Sequence, residues 1–217
     1  MTTTINASNS GSGGLVQTAD ASGILALQTA GTTAVTIDTS QNTTFAGTLT
    51  TAAQSIAKAS LPAGAVLQVV STTKTDTFTT TSTSFTDITG LSVSITPSSA
   101  TSKILVFSNV NGSQQYTVNR TSLRLLRNST TIDAGTAVGS RQAAFGGFGT
   151  PDSTVPSGTV SGNYLDSPAT TSSVTYKMQV AVTAGSGTAY INRTQSDTDE
   201  VGQIRMPSTI TVMEIAA

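Results

Sequence analysis

The chain has no cysteine, no histidine and no tryptophan. Without cysteine there is no disulfide and no thiolate metal site. Without histidine the commonest general base, and the usual partner in a nucleophilic triad, is missing. Charge is sparse: 10% of the 217 residues are Asp, Glu, Lys or Arg, the formal net charge is −1, and the basic residues form no block. The electrostatic grip that nucleic acid demands is therefore lacking, and no nucleic-acid partner is expected. No run approaches the ~20 apolar residues of a membrane-spanning helix, so no membrane insertion is expected. The opening MTTTINASNSGSGG has neither a basic n-region nor an apolar h-region and does not read as a secretory signal; synthesis and assembly in a cytoplasm are expected.

What the chain has in excess is threonine, roughly a fifth of all residues against a much lower ordinary usage. Threonine is β-branched and its hydroxyl tolerates water, which suits strands with one wet face. Hydrophobic residues make up 36% and aromatics 5%, enough for a lean β core.

Residues 11–50 set the organisation. Leu15, Leu25, Val35 and Phe45 open four short apolar runs on a near-fixed beat, with Gly, Asp, Ser and Asn between them. Each run is strand-sized and alternates. Such a segment has too few large side chains to bury its own apolar face, and repeats with an uncovered stripe need a partner. Copies of the same stretch wound about a shared axis are the simplest one. Residues 1–14 are small and polar, and alone would lack order; docking on a larger assembly and packing along their own shaft are the two readings. Residues 15–50 read as a repetitive, intertwined β-shaft. Residues 51–63 hold the one convincing helix candidate, TAAQSIAKAS, stopped by Pro62, and form a helical collar and hinge.

From residue 64 to 217 the pattern is all-β. Leu91, Val93 and Ile95 alternate with polar residues, as do Val174, Tyr176, Met178, Val180 and Val182. Both stretches predict strands with one buried face. Lys103–Phe107, KILVF, is apolar on both faces and predicts a central strand. Ser122–Arg127 and Thr130–Asp133 predict a hairpin about Asn128-Ser129. Ala184–Gly187 predicts a turn from which Ala189–Asn192 returns, and Ser208–Ile215 closes the chain as a strand. About eight to ten short strands with turn signals between them predict an antiparallel sandwich or barrel.

The order of these pieces carries a resemblance. A Gly/Thr-rich repeat is followed by SIAKASLPAGAVLQVV, then TTSTSFTDITGLSVSITPSSATSKILVF, and finally STITVMEIAA. This resembles the tail-fibre-like structural proteins of tailed phages, especially those of marine and cyanobacterial hosts. It is strongest over 56–107 and 174–217, and it includes no catalytic motif. The resemblance implies a homotrimer: an N-terminal end bound to other virion proteins of baseplate, tail or capsid, a β-shaft, and a C-terminal jelly-roll head similar to those of complement C1q and tumour necrosis factor. No cofactor and no enzymatic activity are expected, and the virion is the expected location.

Three places could carry chemistry. The least strand-like part of the head, Gly139–Leu165, holds Phe145, Phe148 and Tyr164 among glycines and prolines; with Gln115 and Tyr116 in a second loop it reads as a receptor loop suited to a host-surface polysaccharide or protein. Buried phenylalanines plugging the core are the competing reading. Glu214, among Val212, Met213 and Ile215, calls for a cationic partner such as Arg124 or Arg205 within or between subunits. Asp197-Thr198-Asp199-Glu200 is the densest acidic cluster, but its spacing lacks the glycine and distal glutamate of a calcium loop, so a solvated loop is expected and no metal site. The functions in contention are an adsorption fibre, a capsid or baseplate decoration protein, and a polysaccharide-cleaving tailspike. The last needs a pair of carboxylates at a set separation, for which the head has few acidic residues.

Overall fold

The computed structural model describes residues 22–48, 61–115, 120–148, 157–183 and 187–217. The chain forms two compact units, Met1–Ser55 and Ile56–Ala217. Every regular element among the described residues is a strand. The expected attachment segment 1–14, the run opened by Leu15 and the expected helix 51–60 lie outside the described residues.

In the first unit, β1 (Leu25–Thr29), β2 (Thr32–Ile37) and β3 (Thr43–Phe45) form an antiparallel meander in that order. Ala30 and Gly31, at φ 50° and 76°, make the two-residue turn with left-handed backbone at both positions whose twist matches a hairpin. The Asp38 carboxylate closes the second turn, accepting the backbone N–H groups of Ser40 and Asn42, both at 2.9 Å. These local turns pair the three strands within one chain. The need for cover remains. Leu27, Val35 and Phe45 stand in register across the three strands, Leu27 and Phe45 are exposed, and no described side chain of this unit is buried.

The second unit is a sandwich of two antiparallel sheets. One contains β4 (Val66–Lys74), β5 (Phe78–Thr80), β7 (Lys103–Gln114), β10 (Gly158–Asp166), β12 (Ala189–Ile191) and β13 (Ser208–Ile215). The other runs β6 (Thr86–Ile95), β11 (Val174–Val182), β8 (Thr121–Arg127), β9 (Thr130–Asp133). The KILVF stretch lies in β7, which is central as expected. β13 pairs with it from Lys103 to Asn109, β12 continues from Gly112 to Gln114, and β10 pairs with it from Ile104 to Gly112. The chain passes from sheet to sheet through β4, β6, β7, β8, β10, β11 and β13, a jelly-roll-like path. The β8–β9 hairpin forms at Asn128, whose φ is 53°. The expected return after Ala184–Gly187 differs: β12 does not pair with β11 but enters the opposite sheet.

The alternating strands supply the core as predicted. Leu91, Val93 and Ile95 of β6 and Val174, Tyr176, Met178, Val180 and Val182 of β11 face Ile104, Val106, Ile210 and Val212 of the other sheet. Gly112 makes one close approach possible. A Cβ there would lie 2.3 Å from the Tyr190 carbonyl oxygen and 3.0 Å from the Phe148 ring. The carbonyl belongs to the ladder between β7 and β12 and cannot retreat without breaking it. Gly112→Ala is expected to cost about 1–3 kcal/mol, read as a lowered melting temperature. Gly158→Ala, whose Cβ would sit 3.5 Å from the same ring, should melt close to the parent.

Candidate functional site

Three buried polar or aromatic sites lie where the sheets and their loops meet. The first is the expected aromatic loop. Phe145 N–H donates to the Leu123 carbonyl and Leu123 N–H to the Gly146 carbonyl, both at 2.7 Å, so the segment extends the β8 edge beyond β9. Phe148 N–H donates to Thr121 Oγ1 at 3.0 Å. The Phe148 ring is only 6% exposed and lies over Gly112; the Phe145 ring is half-buried over Gly162, where a Cβ would come within 2.7 Å of it. Tyr164 projects from the inner face of β10 and packs on the core. Gln115 is half-buried at the end of β7, its N–H donating to the Thr188 carbonyl at 3.0 Å. Tyr116 and residues 149–156 lie outside the described residues. Phe145, Phe148 and Tyr164 thus line the inside of the sandwich, not an exposed aromatic surface. The signal for this was in the partner strands: glycines inside β7 and β10 mark places where another group comes close.

The second site is Glu214. It is fully buried on the inner face of β13, beneath the β6–β7 connection. One carboxylate oxygen accepts the backbone N–H and the hydroxyl of Ser98, both at 2.6 Å, and the other accepts the Gln68 side-chain amide at 2.6 Å. That amide also donates to the Thr96 carbonyl at 2.7 Å. Burial alone would raise the carboxyl pKa; the hydrogen bonds from Ser98 and Gln68 outweigh it and hold it below the ordinary value. The expected arginine partner is a correction. Arg124 Nε donates to Gln179 at 2.8 Å and its guanidinium stacks 4.1 Å above Phe85, on the outer face of the other sheet. Arg205 grips Asp197 through two hydrogen bonds of 3.1 and 2.7 Å. Neutral donors satisfy Glu214, so it needs no cation. Asp197 is shared with Arg193 at 3.1 Å, and among the described residues no group of three His, Cys, Asp or Glu side chains could hold a metal.

The third site was not legible in the sequence. Asp166, buried at the end of β10, accepts from Arg127 NH1 at 2.8 and 2.9 Å and from the Tyr176 hydroxyl at 2.7 Å. Arg127 and Tyr176 belong to the opposite sheet, so this triad ties the two layers together. Burial, then the hydrogen bond to Asp166 and its charge, push the Tyr176 phenol pKa far upward.

Fold and sites together define an all-β, jelly-roll-like sandwich whose buried polar groups join its sheets and loops. No protein-family model matches the chain, and no curated protein does. Among solved structures it is similar to T=1 particles derived from infectious bursal virus, at 15% identity and a TM-score of 0.36 over 69% of this chain and 36% of that one. It is similar to the VP2 subviral particle of infectious bursal disease virus at 16% identity and a TM-score of 0.35, over 69% and 37%. The Gx strain of the same virus gives 16% and 0.33, over 69% and 36%. The chain thus spans little more than a third of the length of these viral chains.

Proposed function

We propose that this chain is a non-enzymatic structural fibre of a phage virion, a homotrimer that attaches through its N-terminal residues and presents its sandwich as a head for adsorption to the host surface. One observation carries this reading. A strand-repeat unit with an uncovered apolar row is joined in sequence to a sandwich that completes its own core. The first calls for copies of itself and the second does not, which is the division of labour of a shaft and a head. The resemblance to tail-fibre-like proteins supplies the virion, the threefold assembly and the partners at the attachment end. Three heads on one fibre turn weak host contacts into firm attachment.

Packing of Phe145 and Phe148 against the core favours a second reading, a capsid or baseplate decoration protein with no receptor role. Two measurements separate these. Light scattering of the full chain should give a mass near three times 21.9 kDa; a monomer overturns the fibre. Purified trimer added to host cells before phage should slow adsorption; an unchanged rate, with the protein located on the capsid or baseplate by electron microscopy, supports decoration.

A further inference from the structure

Among the described residues of the sandwich unit, Phe107 is the one aromatic residue that stands exposed, at 41%; the other phenylalanines and tyrosines are half-buried or buried. It lies on the outer face of β7, in a groove of about 290 Å³ lined also by Asn109, Ser161, Asn163 and Thr209. The register builds this groove. Thr211 of β13 and Asn163 of β10 flank Phe107, and on the next outward rung Thr209 and Ser161 flank Asn109. A hydrogen-bonded ladder sets the Asn109 amide. The Thr159 hydroxyl donates to the Asn111 side-chain oxygen, and the Asn111 amide donates to the Pro207 carbonyl and, at 3.0 Å, to Asn109 Oδ1. With its oxygen turned to Asn111, Asn109 points its N–H groups the other way along β7, toward Phe107. Those N–H groups, the Asn163 amide and the Ser161 and Thr209 hydroxyls have no partner among the described residues. On the outer face of the other sheet the polar groups pair off instead: Lys177 and Gln179 both reach Asp87, and Ser94 reaches Thr175.

We infer that this groove binds a neutral saccharide, with the Phe107 ring beneath one face of a pyranose. The chemistry of the lining selects that class. No charged side chain lines the groove, so an ionised ligand would leave water and meet no counter-charge. A pyranose has an apolar C–H face, which covers a phenyl ring, and a rim of hydroxyls that both donate and accept. The groove offers the matching division, one ring with amides and hydroxyls at its edge. Sugar hydroxyls reproduce the hydrogen bonds that water makes to these free groups, so displacing that water costs little. A peptide adding itself as a strand needs an open sheet edge, and β7 is paired on both sides here. The inference rests on the adsorption role in the proposed function for its purpose, and three heads on one fibre would make a weak site sufficient.

The test applies the full chain to an array of neutral and acidic glycans, with mass read by light scattering and folding of each variant by its melting temperature. The parent should bind neutral glycans. Phe107→Ala and Asn109→Ala should each weaken that binding about ten-fold, the size of effect at the centre of a binding site. Phe107→Tyr keeps the ring and should bind like the parent, as should Ser92→Ala, exposed on the other sheet. No neutral glycan bound by an intact oligomer, or binding that Phe107→Ala leaves unchanged, overturns this inference; if the same protein still slows phage adsorption, the adsorption role survives. Binding to acidic glycans alone, or displacement of phage by a host protein and by no glycan, overturns it as well. Neutral-glycan binding through Phe107 with an unchanged adsorption rate upholds the site and overturns the adsorption role.

Discussion

Asp166→Ala is expected to destabilise the head by about 3–5 kcal/mol, the usual cost of removing one partner from a buried charge pair. The variant strands two groups at once. The Tyr176 hydroxyl, in a fully buried residue, loses its acceptor, and Arg127, whose side chain is 26% exposed, loses its counter-charge. It also cuts a tie between β10 in one sheet and β8 and β11 in the other. Tyr176→Phe removes only the hydroxyl and leaves the ion pair, so about 1–2 kcal/mol is expected. The double variant should fall well short of the sum, because the hydroxyl has no acceptor left to lose once Asp166 is gone. Urea unfolding at one fixed protein concentration, followed by far-ultraviolet circular dichroism, reads all three. An Asp166→Ala variant within 1 kcal/mol of the parent would show that water replaces the carboxylate and that the triad is no clamp.

How far the sequence revealed this arrangement follows from the range of each signal. Alternation is local, and it placed the buried faces of β6 and β11 correctly because each strand has one wet side. The double-sided apolar pattern of KILVF identified the central strand. In this chain the second apolar side, Leu105 and Phe107, points out of the sandwich and lacks cover, so the pattern held two messages of which one was read. Partners far apart along the chain left no trace. Gln68 lies 146 residues from Glu214 and Ser98 lies 116 away, and nothing in their spacing shows that a loop will fold over a strand end to bring both to one carboxylate. A buried acid among apolar neighbours suggests an arginine, but at Glu214 neutral donors are the solution. The crossing from β11 to β12 was missed for a similar reason: a Gly-rich turn between two apolar runs looks the same whether the second run stays in the sheet or leaves it. Asp166 was invisible because aspartate at a strand end is ordinarily solvated, and only the arrival of Arg127 and Tyr176 from the other layer makes it a joint.

Glu214 yields the second large effect, and its pH dependence separates charge from shape. Every group facing its carboxylate is a donor: the Ser98 N–H, the Ser98 hydroxyl and the Gln68 amide. Glu214→Gln keeps the volume but turns one end of the side chain into a donor facing donors. At neutral pH it should cost about 2–3 kcal/mol, the range for hydrogen bonds to a charged group. The sign with pH follows from the depressed folded-state pKa. An unfolded chain binds this proton near the ordinary value of 4.5, and the folded chain binds it only at lower pH. The stabilisation is therefore complete above about pH 4.5 and disappears as pH falls through the folded value. Asp87 and Asp197, also held low by their Lys177 and Arg205 partners, lose stability in the same acid range, so the parent's curve alone cannot isolate Glu214. The difference between parent and Glu214→Gln does, since the other carboxylates cancel. That gap should be widest at pH 7 and narrow as pH falls below 4.5 toward the lowered folded value, where the parent's own carboxyl takes up its proton. A gap that stays constant from pH 7 to pH 3 would mean that the site recognises the shape of the side chain and not its charge, and the account of a buried carboxylate held by neutral donors would fail.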